Sequence, residues 1–450
     1  MMLLANLWSR LVTLARLLSA GLWAVASLSI GVAGAVFAGR GGAGVKAFLL
    51  QSASQRKVFA ALRLLAPNLN LSQVLIKCYD NTGTVIVSRG VDVREVLDRQ
   101  ADFEVVYGPR MRAITGEANF FLGMQDGADY RHDTSLMQLA MRRSDVETCV
   151  APLVRQTAAR LVAAKPDRLD LPKELTRLAP AAIVTTYFGI DTMETADLIS
   201  WASEMFWYLF LDLDAESALD QRALAAAKAC RLGIDTAIAN RKRSGAYGDD
   251  VLGRCLTLQA ATPEFDDLAI RNNLIGLVIG AIPTLSKAAC QALDYLLDYP
   301  DLLAKAQAAA RQGDEATVGR YLLEALRFNP VNPVIYRRAV RDCVIARSTL
   351  RACTIPAGRM VLASNLSAMF DPGFTEQSDR FWPERPFGEY MLWGYGLHTC
   401  FGAEINRAAL PAMLTPVLAQ QNLRRAEGAL GRLRLDEMNF PVEFGVTYSR

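Results

Sequence analysis

Residues 393–402, reading WGYGLHTCFG, constrain this chain more tightly than any other stretch of its sequence. Gly394 and Gly396 permit backbone angles and close approaches that a side chain would block, so the segment can run as a tight loop against a flat ligand. From Ala403 onward, Leu410, Met413, Leu414 and Val417 recur at helical spacing, which predicts a helix whose first turn carries Cys400. The partial positive charge of that helix end and its unpaired N–H groups favour a thiolate over a thiol. A lone cysteine is ordinarily a buried structural residue. Here the glycines, His398 two residues earlier and the start of the helix all point instead to a ligand-binding sulfur.

The loop resembles the haem-binding loop of the cytochrome P-450 superfamily: an aromatic, two residues, Gly, three residues, Cys, one residue, Gly. Trp393, Gly396, Cys400 and Gly402 fill that pattern, with Trp393 standing where the family usually has Phe. The resemblance implies haem b (iron protoporphyrin IX), with Cys400 as the axial ligand of the iron, Gly394 in the same cradle and His398 donating to a propionate. Further matches follow in the family's order. YLLEALRFNP places Glu324 and Arg327 one helical turn apart, where they can pair and hold a third partner. VIYRRAVRD, IPAGRMVLASNLSAMFDP and FWPERPFG resemble the family's sheet strands and the loop that feeds the haem site. The resemblance makes Arg385 the third member of a structural cluster with Glu324 and Arg327, and puts Arg338 at a propionate. It runs from about residue 70 to the C-terminus.

Residues 263–298 predict one long helix, roughly 50 Å in length, apolar from Leu274 to Ile282 and similar to the family's central helix. Its Gly280-Ala281-Ile282-Pro283-Thr284 matches the oxygen-binding segment, in which small residues leave room above the iron and an acid–alcohol pair relays protons. Gly280 and Ala281 supply the room and Thr284 the alcohol, but Pro283 occupies the place of the acid. Proline cannot donate a backbone hydrogen bond and crowds the carbonyl of Ile279, so a kink and a free carbonyl are expected. Reductive oxygen activation needs protons at the distal oxygen, whereas a peroxide arrives already reduced. Three functions therefore stand. The first is a haem-thiolate monooxygenase that inserts one atom of O2 into an apolar organic substrate, with electrons from a separate ferredoxin or flavodoxin-type donor and its reductase. The second is a peroxide-using peroxygenase or hydroperoxide-rearranging enzyme on the same fold. The third, of another class, is a non-catalytic haem-binding or sensor protein.

FLGMQDGADYRHD resembles the start of the family helix that crosses above the haem. Tyr130 fits its aromatic position, Thr134 sits where an arginine would hold a propionate, and Arg131 or His132 is the available substitute. Trp201, Phe206, Trp207, Tyr208 and Phe210 crowd one segment and Phe120 with Phe121 another, which suits an apolar pocket. Arg142, Arg143 and Arg407 are candidates for a basic face that docks an acidic electron donor. No interleaved basic and aromatic surface for nucleic acid is present.

The implied fold is mainly α with small β-sheets (α+β), a P-450-like arrangement with a long central helix and a haem between it and the cysteine loop. Helices are expected over residues 147–161 and 221–242, and strands over 74–78, 84–88 and pieces of 334–361. With 52% hydrophobic residues and no linker or repeat after residue 50, residues 46–450 are expected to form one catalytic domain. Only His132 and His398 are available as histidine ligands, which excludes a multi-histidine metal site. The eight cysteines show no CxxC pair.

The first 79 residues contain no Asp or Glu and eight basic residues. Residues 17–39 carry no charge and are long enough to span a bilayer. Residues 1–45 are thus expected to be an apolar anchor or targeting segment ending in a glycine-rich hinge, with a cleaved signal or transit peptide as alternatives. Membrane association follows if it anchors, and a cytoplasmic location otherwise. Residues 57–65 are amphipathic and suit a membrane surface. The hinge, GRGGAG, imitates a dinucleotide fingerprint, but no acid precedes Asp80 to hold a ribose.

Overall fold

Helical periodicity dominates the sequence and the fold follows it. The structure, a computed structural model, describes residues 2–37, 41–116, 118 and 120–449. The chain is helical from Val146 through Ala163 and over Ser217–Ser244, covering both expected segments. One strand expectation fails. Residues 74–78 form no strand; the strand lies earlier, at Asn68–Leu71. The connecting segment is pinned by side chains instead, with Leu75 N–H donating to Thr84 Oγ1 and Asn81 Nδ2 to the Ile76 carbonyl. Ile76 is buried by this loop, so its apolar character reports burial and not a pleat.

The chain divides into two compact units. One comprises the residues up to Ile76, Asp80–Glu104 and Leu326–Thr399. Its sheet has five strands in the order Asn68–Leu71, Thr84–Val87, Met360–Ala363, Ile335–Ala339 and Phe103–Glu104. The Thr84–Val87 and Met360–Ala363 pair is parallel, with Thr84 opposite Met360; the other pairs are antiparallel. β-branched residues suit this half-buried pleat, and Val85, Val87, Val361 and Ala363 bury their side chains with Val93, Val96, Leu97 and Phe103.

The same unit holds the N-terminal helix Met2–Phe37 and the helix Ser52–Leu65. Gly21 lets the first approach Leu64 on the second, and Arg63 anchors the second by donating to Ser367. The apolar window Leu11–Val36 is long enough to cross a membrane and only 11% of it is buried. Of the expected hinge, Gly39 and Arg40 lie outside the described residues; the rest opens the helix Gly41–Leu50.

The second unit comprises Lys77–Tyr79, Val105–Ala325 and the residues from Cys400 on. Its central helix runs over Asp267–Asp298. It starts four residues later than its apolar pattern suggests because Asp266 caps it, accepting from Ala269 N–H at 2.8 Å. Arg425 closes the other end through Asp294 and Asp298, at 2.5 and 2.7 Å, where a cation also suits the helix dipole. The helix Ala403–Leu418 packs on the central one, and a three-stranded sheet joins Arg168–Asp170, Gly445–Ser449 and Gln421–Arg425.

Candidate active site

The cysteine loop needs its glycines. Gly394 and Gly396 adopt φ of +83° and +74°. A Cβ on Gly396 would lie 3.0 Å from Asp98 Oδ1 and 3.1 Å from the Leu97 carbonyl, so a side chain is excluded on both counts. A short turn, Gly396–His398, is closed by Thr399, whose N–H and hydroxyl both donate to the Gly396 carbonyl. Trp393 stands beside Phe387, ring centroids 5.7 Å apart.

Cys400 precedes the helix Ala403–Leu418 and is not part of its first turn; Ala403 N–H caps the Cys400 carbonyl at 3.1 Å. Cys400 is an exposed residue. Even so, desolvation by the surrounding protein pushes the thiol's pKa up, with the Gly402 amide as the opposing influence. Surface access measures contact with water, whereas the proton equilibrium follows the polarizability of the whole neighbourhood, so desolvation governs here. Burial thus works against the helix-stabilised thiolate expected from the sequence. The metal-free chain favours the thiol, and the proton is displaced when a cation coordinates the sulfur. A soft sulfur on an exposed residue, beside the Gly402 amide, fits an iron porphyrin.

On the central helix, Gly280 has open space: a Cβ there would meet nothing within 4 Å. One turn earlier, a Cβ on Gly276 would press into the Phe120 ring at 2.5 Å. The helix continues unbroken through the buried Pro283, so the proline removes one rung and leaves the Ile279 carbonyl without its usual donor. The Thr284 hydroxyl donates back to the Gly280 carbonyl. Between Asp267 and Asp294 this helix contains no carboxylate.

The scaffold residues are buried: Glu324 and Arg327 fully, Arg385 nearly so. Arg327 donates to the carbonyls of Met369, Ser378 and Arg380 and lies 4.6 Å from the centroids of both Phe328 and Phe370. Arg385 pairs with Glu389 at 2.8 Å and donates to the Gln377 carbonyl. Arg338, expected at a propionate, sits opposite Glu104 in the sheet and pairs with it at 2.6 Å, also donating to the Asp80 carbonyl. Its neighbour Arg337 is the buried one, 3% exposed. Alternation along the strand puts these two side chains on opposite faces, a signal that counting from RAVRD overlooks.

His398 is half-buried in the turn. His132 is exposed, two residues beyond the buried Tyr130 and so on the other side of the helix Ala128–Ala140. Arg131 pairs with Asp126, and the Thr134 hydroxyl bonds back to the Tyr130 carbonyl. His132 is thus not brought to Tyr130's face. Phe206, Trp207 and Tyr208 are buried, and Phe206 packs on Phe210 and Phe440 at 4.7 and 5.8 Å. The three arginines of the expected docking face are each ion-paired: Arg142 with Asp249, Arg143 and Arg407 with Glu404.

A family model described as Cytochrome P450 matches residues 78–427. The chain is 24% identical over 378 residues to a bifunctional dioxygenase (DOX)-epoxy alcohol synthase (EAS) of Fusarium oxysporum, covering 75% of this chain and 29% of that protein. It is 22% identical to Psi-producing oxygenase A of Emericella nidulans, covering 78% and 36%. The chain spans about a third of the length of these curated relatives. Cytochrome P450 105A3 of Streptomyces carbophilus is 25% identical, with 76% of this chain and 80% of that protein covered. Among solved structures, P450BioI in complex with hexadec-9Z-enoic acid ligated acyl carrier protein is similar at a TM-score of 0.74 and 18% identity, covering 88% and 99%. CYP109Q5 from Chondromyces apiculatus gives 0.71 and 20%, covering 88% and 96%.

Proposed function

The chain belongs to the cytochrome P450 family, and from that premise we propose a haem-thiolate oxidoreductase whose oxidant arrives as a hydroperoxide, acting on an apolar organic substrate. The observation that carries this reading is Pro283 in the place of the proton-relay acid, on a helix without any nearby carboxylate. The similarity to a dioxygenase-epoxy alcohol synthase and a Psi-producing oxygenase supports it.

The group to be held is haem b, which when bound supplies the chemistry of O–O bond cleavage. Cys400 offers its sulfur to the iron, and the Gly402 amide tempers that sulfur's charge. Gly394 and Gly396 keep side chains out of the approach, and Trp393 shields the loop. His398 and the buried Arg337, in place of Arg338, are the proposed propionate partners. Glu324, Arg327 and Arg385 fix the scaffold. Gly280 and Ala281 leave room for the oxidant. The Ile279 carbonyl, freed by Pro283, accepts from a hydroperoxide O–H, and Thr284 Oγ1 holds the next proton in line.

Turnover with cumene hydroperoxide, compared with turnover on NAD(P)H, a ferredoxin and its reductase, tests the reading. Hydroperoxide-driven product without coupled oxygen consumption is expected; tight coupling of O2 and NAD(P)H consumption to product would overturn it. The second reading, an O2-dependent monooxygenase with a separate electron donor, is favoured by the similarity to Cytochrome P450 105A3 over most of that protein's length. A reduced, carbon monoxide-bound spectrum with the red-shifted band of a sulfur-ligated haem is expected for either, and Cys400→Ala should lose it. A non-catalytic haem protein would give that band without any product. We also read the N-terminal helix as a membrane anchor, supported by the outward-facing Trp8, Leu22, Trp23 and Ile30.

A further inference from the structure

Lys287 is the odd charge of the central helix. It lies three residues beyond Thr284, on the same flank, and is only 2% exposed. The other deeply buried cations of this unit have carboxylates: Arg110 pairs with Asp212, and Arg254 with Asp145. Among the described residues Lys287 has neither an ion pair nor a hydrogen-bond acceptor at its ammonium. Instead its Nζ lies 5.9 Å from the centroid of Phe440. The one acid whose charge reaches it, Asp436, already accepts the Phe440 N–H at 2.8 Å. Burial draws the ammonium's pKa down to about 8, which still leaves it charged at neutral pH.

A buried, unanswered cation is unfavourable unless something brings the opposite charge. The surroundings state what that something is. Phe440 packs on Phe206, and Phe206 on Phe210, so the ammonium stands at the end of an aromatic row in which Phe206 and Phe210 are the two rings that the sequence offers as pocket material. One positive charge beside an apolar wall matches a single negative charge on an apolar body. A dianionic phosphate would call for further cations.

We propose that Lys287 anchors the carboxylate of the substrate, whose aliphatic or aromatic body lies along Phe440, Phe206 and Phe210; this rests on the haem-thiolate reading above. The chain's substrate class is then a lipophilic monocarboxylic acid.

The test uses the full-length, haem-loaded protein and three probes, dodecanoate, methyl dodecanoate and dodecan-1-ol, with affinities from calorimetry at pH 7. Dodecanoate should bind at least about tenfold more tightly than its methyl ester, the value of one charge-assisted contact. Lys287→Met should erase that preference while leaving dodecan-1-ol within about twofold, and Lys287→Arg should restore most of it. Equal binding of acid and ester by the unmodified protein overturns the proposal, a result that requires no variant to fold. So does an unchanged acid preference in Lys287→Met. The reduced carbon monoxide band separates this failure from a deeper one: a sulfur-ligated band with no acid preference sinks the anchor alone, while absence of that band sinks the haem-thiolate reading itself.

Discussion

Two helices of this chain, within Leu11–Val36 and Asp267–Asp298, each hold an 18-residue window apolar enough to cross a membrane, with mean hydropathies of 1.7 and 1.5, yet 11% of the first window is buried and 67% of the second. Their residues explain the difference. The N-terminal helix turns Leu14, Leu22, Trp23 and Ile30 outward and uses Gly21 and Gly31 to approach Leu64 and Phe48. The central helix buries its apolar side chains together with Asn272, Asn273, Ser286, Lys287 and Gln291. Asn273 donates to Asp133, and Ser286 shares a hydrogen bond with Thr176. A lipid-facing helix has no such partners to offer. Apolarity therefore sets what a helix can enter, while the answered polar groups show what it has entered.

The largest effect that could sharpen this contrast belongs to Lys287. Its folded pKa of about 8 lies below the ordinary 10.5. Between those values the unfolded chain binds more protons than the folded one, so stability rises with pH across that window and the penalty is fully present below it. The rise should approach about 3 kcal/mol, taking each pKa unit as 1.36 kcal/mol. Lys287→Met should flatten it and be the more stable protein at neutral pH. Urea denaturation at about pH 7.5 and 10.5, which spans the window, checks this; parallel pH dependence in both proteins would show that the ammonium is not confined as described.

Gly276→Ala comes next. Its Cβ would enter the buried Phe120 ring, so a loss of about 1–3 kcal/mol is expected, read as a lower Tm. Gly280→Ala, one turn on, meets open space and should gain up to about 1 kcal/mol from helix propensity. It should also slow hydroperoxide turnover by filling room the oxidant needs. A stabilised variant with full activity would show that the space at Gly280 has no role in the reaction.

Long periodic helices and the cysteine loop were legible in the sequence because their signals are local: spacing, capping and glycines at positive φ. What escaped it depended on neighbours remote in sequence. The ionisation of Cys400 responds to the protein packed around it, whose burial pushes the thiol's pKa up and which the flanking residues do not announce. Arg337 and Arg338 differ by one step of a strand, and a one-residue slip exchanges faces, so only pairing with Glu104 tells which is outward. Residues 74–78 look like a strand because Ile76 is buried, although a loop buries it. Lys287 carries no local signal of its burial, since a lysine in a helix ordinarily reads as solvated surface.

The smallest expected effect falls on the N-terminal helix and asks whether its glycines are interchangeable with those of the central one. Gly34, like Gly280, has nothing within 4 Å of an added Cβ. The two substitutions are chemically identical, but Gly34 lies three residues from the helix end at Phe37, where propensity counts for less. Gly34→Ala should shift stability by no more than about 0.5 kcal/mol and leave both hydroperoxide turnover and the carbon monoxide band unchanged. Removing residues 2–45 should likewise spare that band while moving the protein from the membrane pellet to the soluble fraction. If Gly34→Ala slowed turnover as much as Gly280→Ala, the slowing would reflect a general response to added methyl groups, and the space beside Gly280 would lose its special meaning.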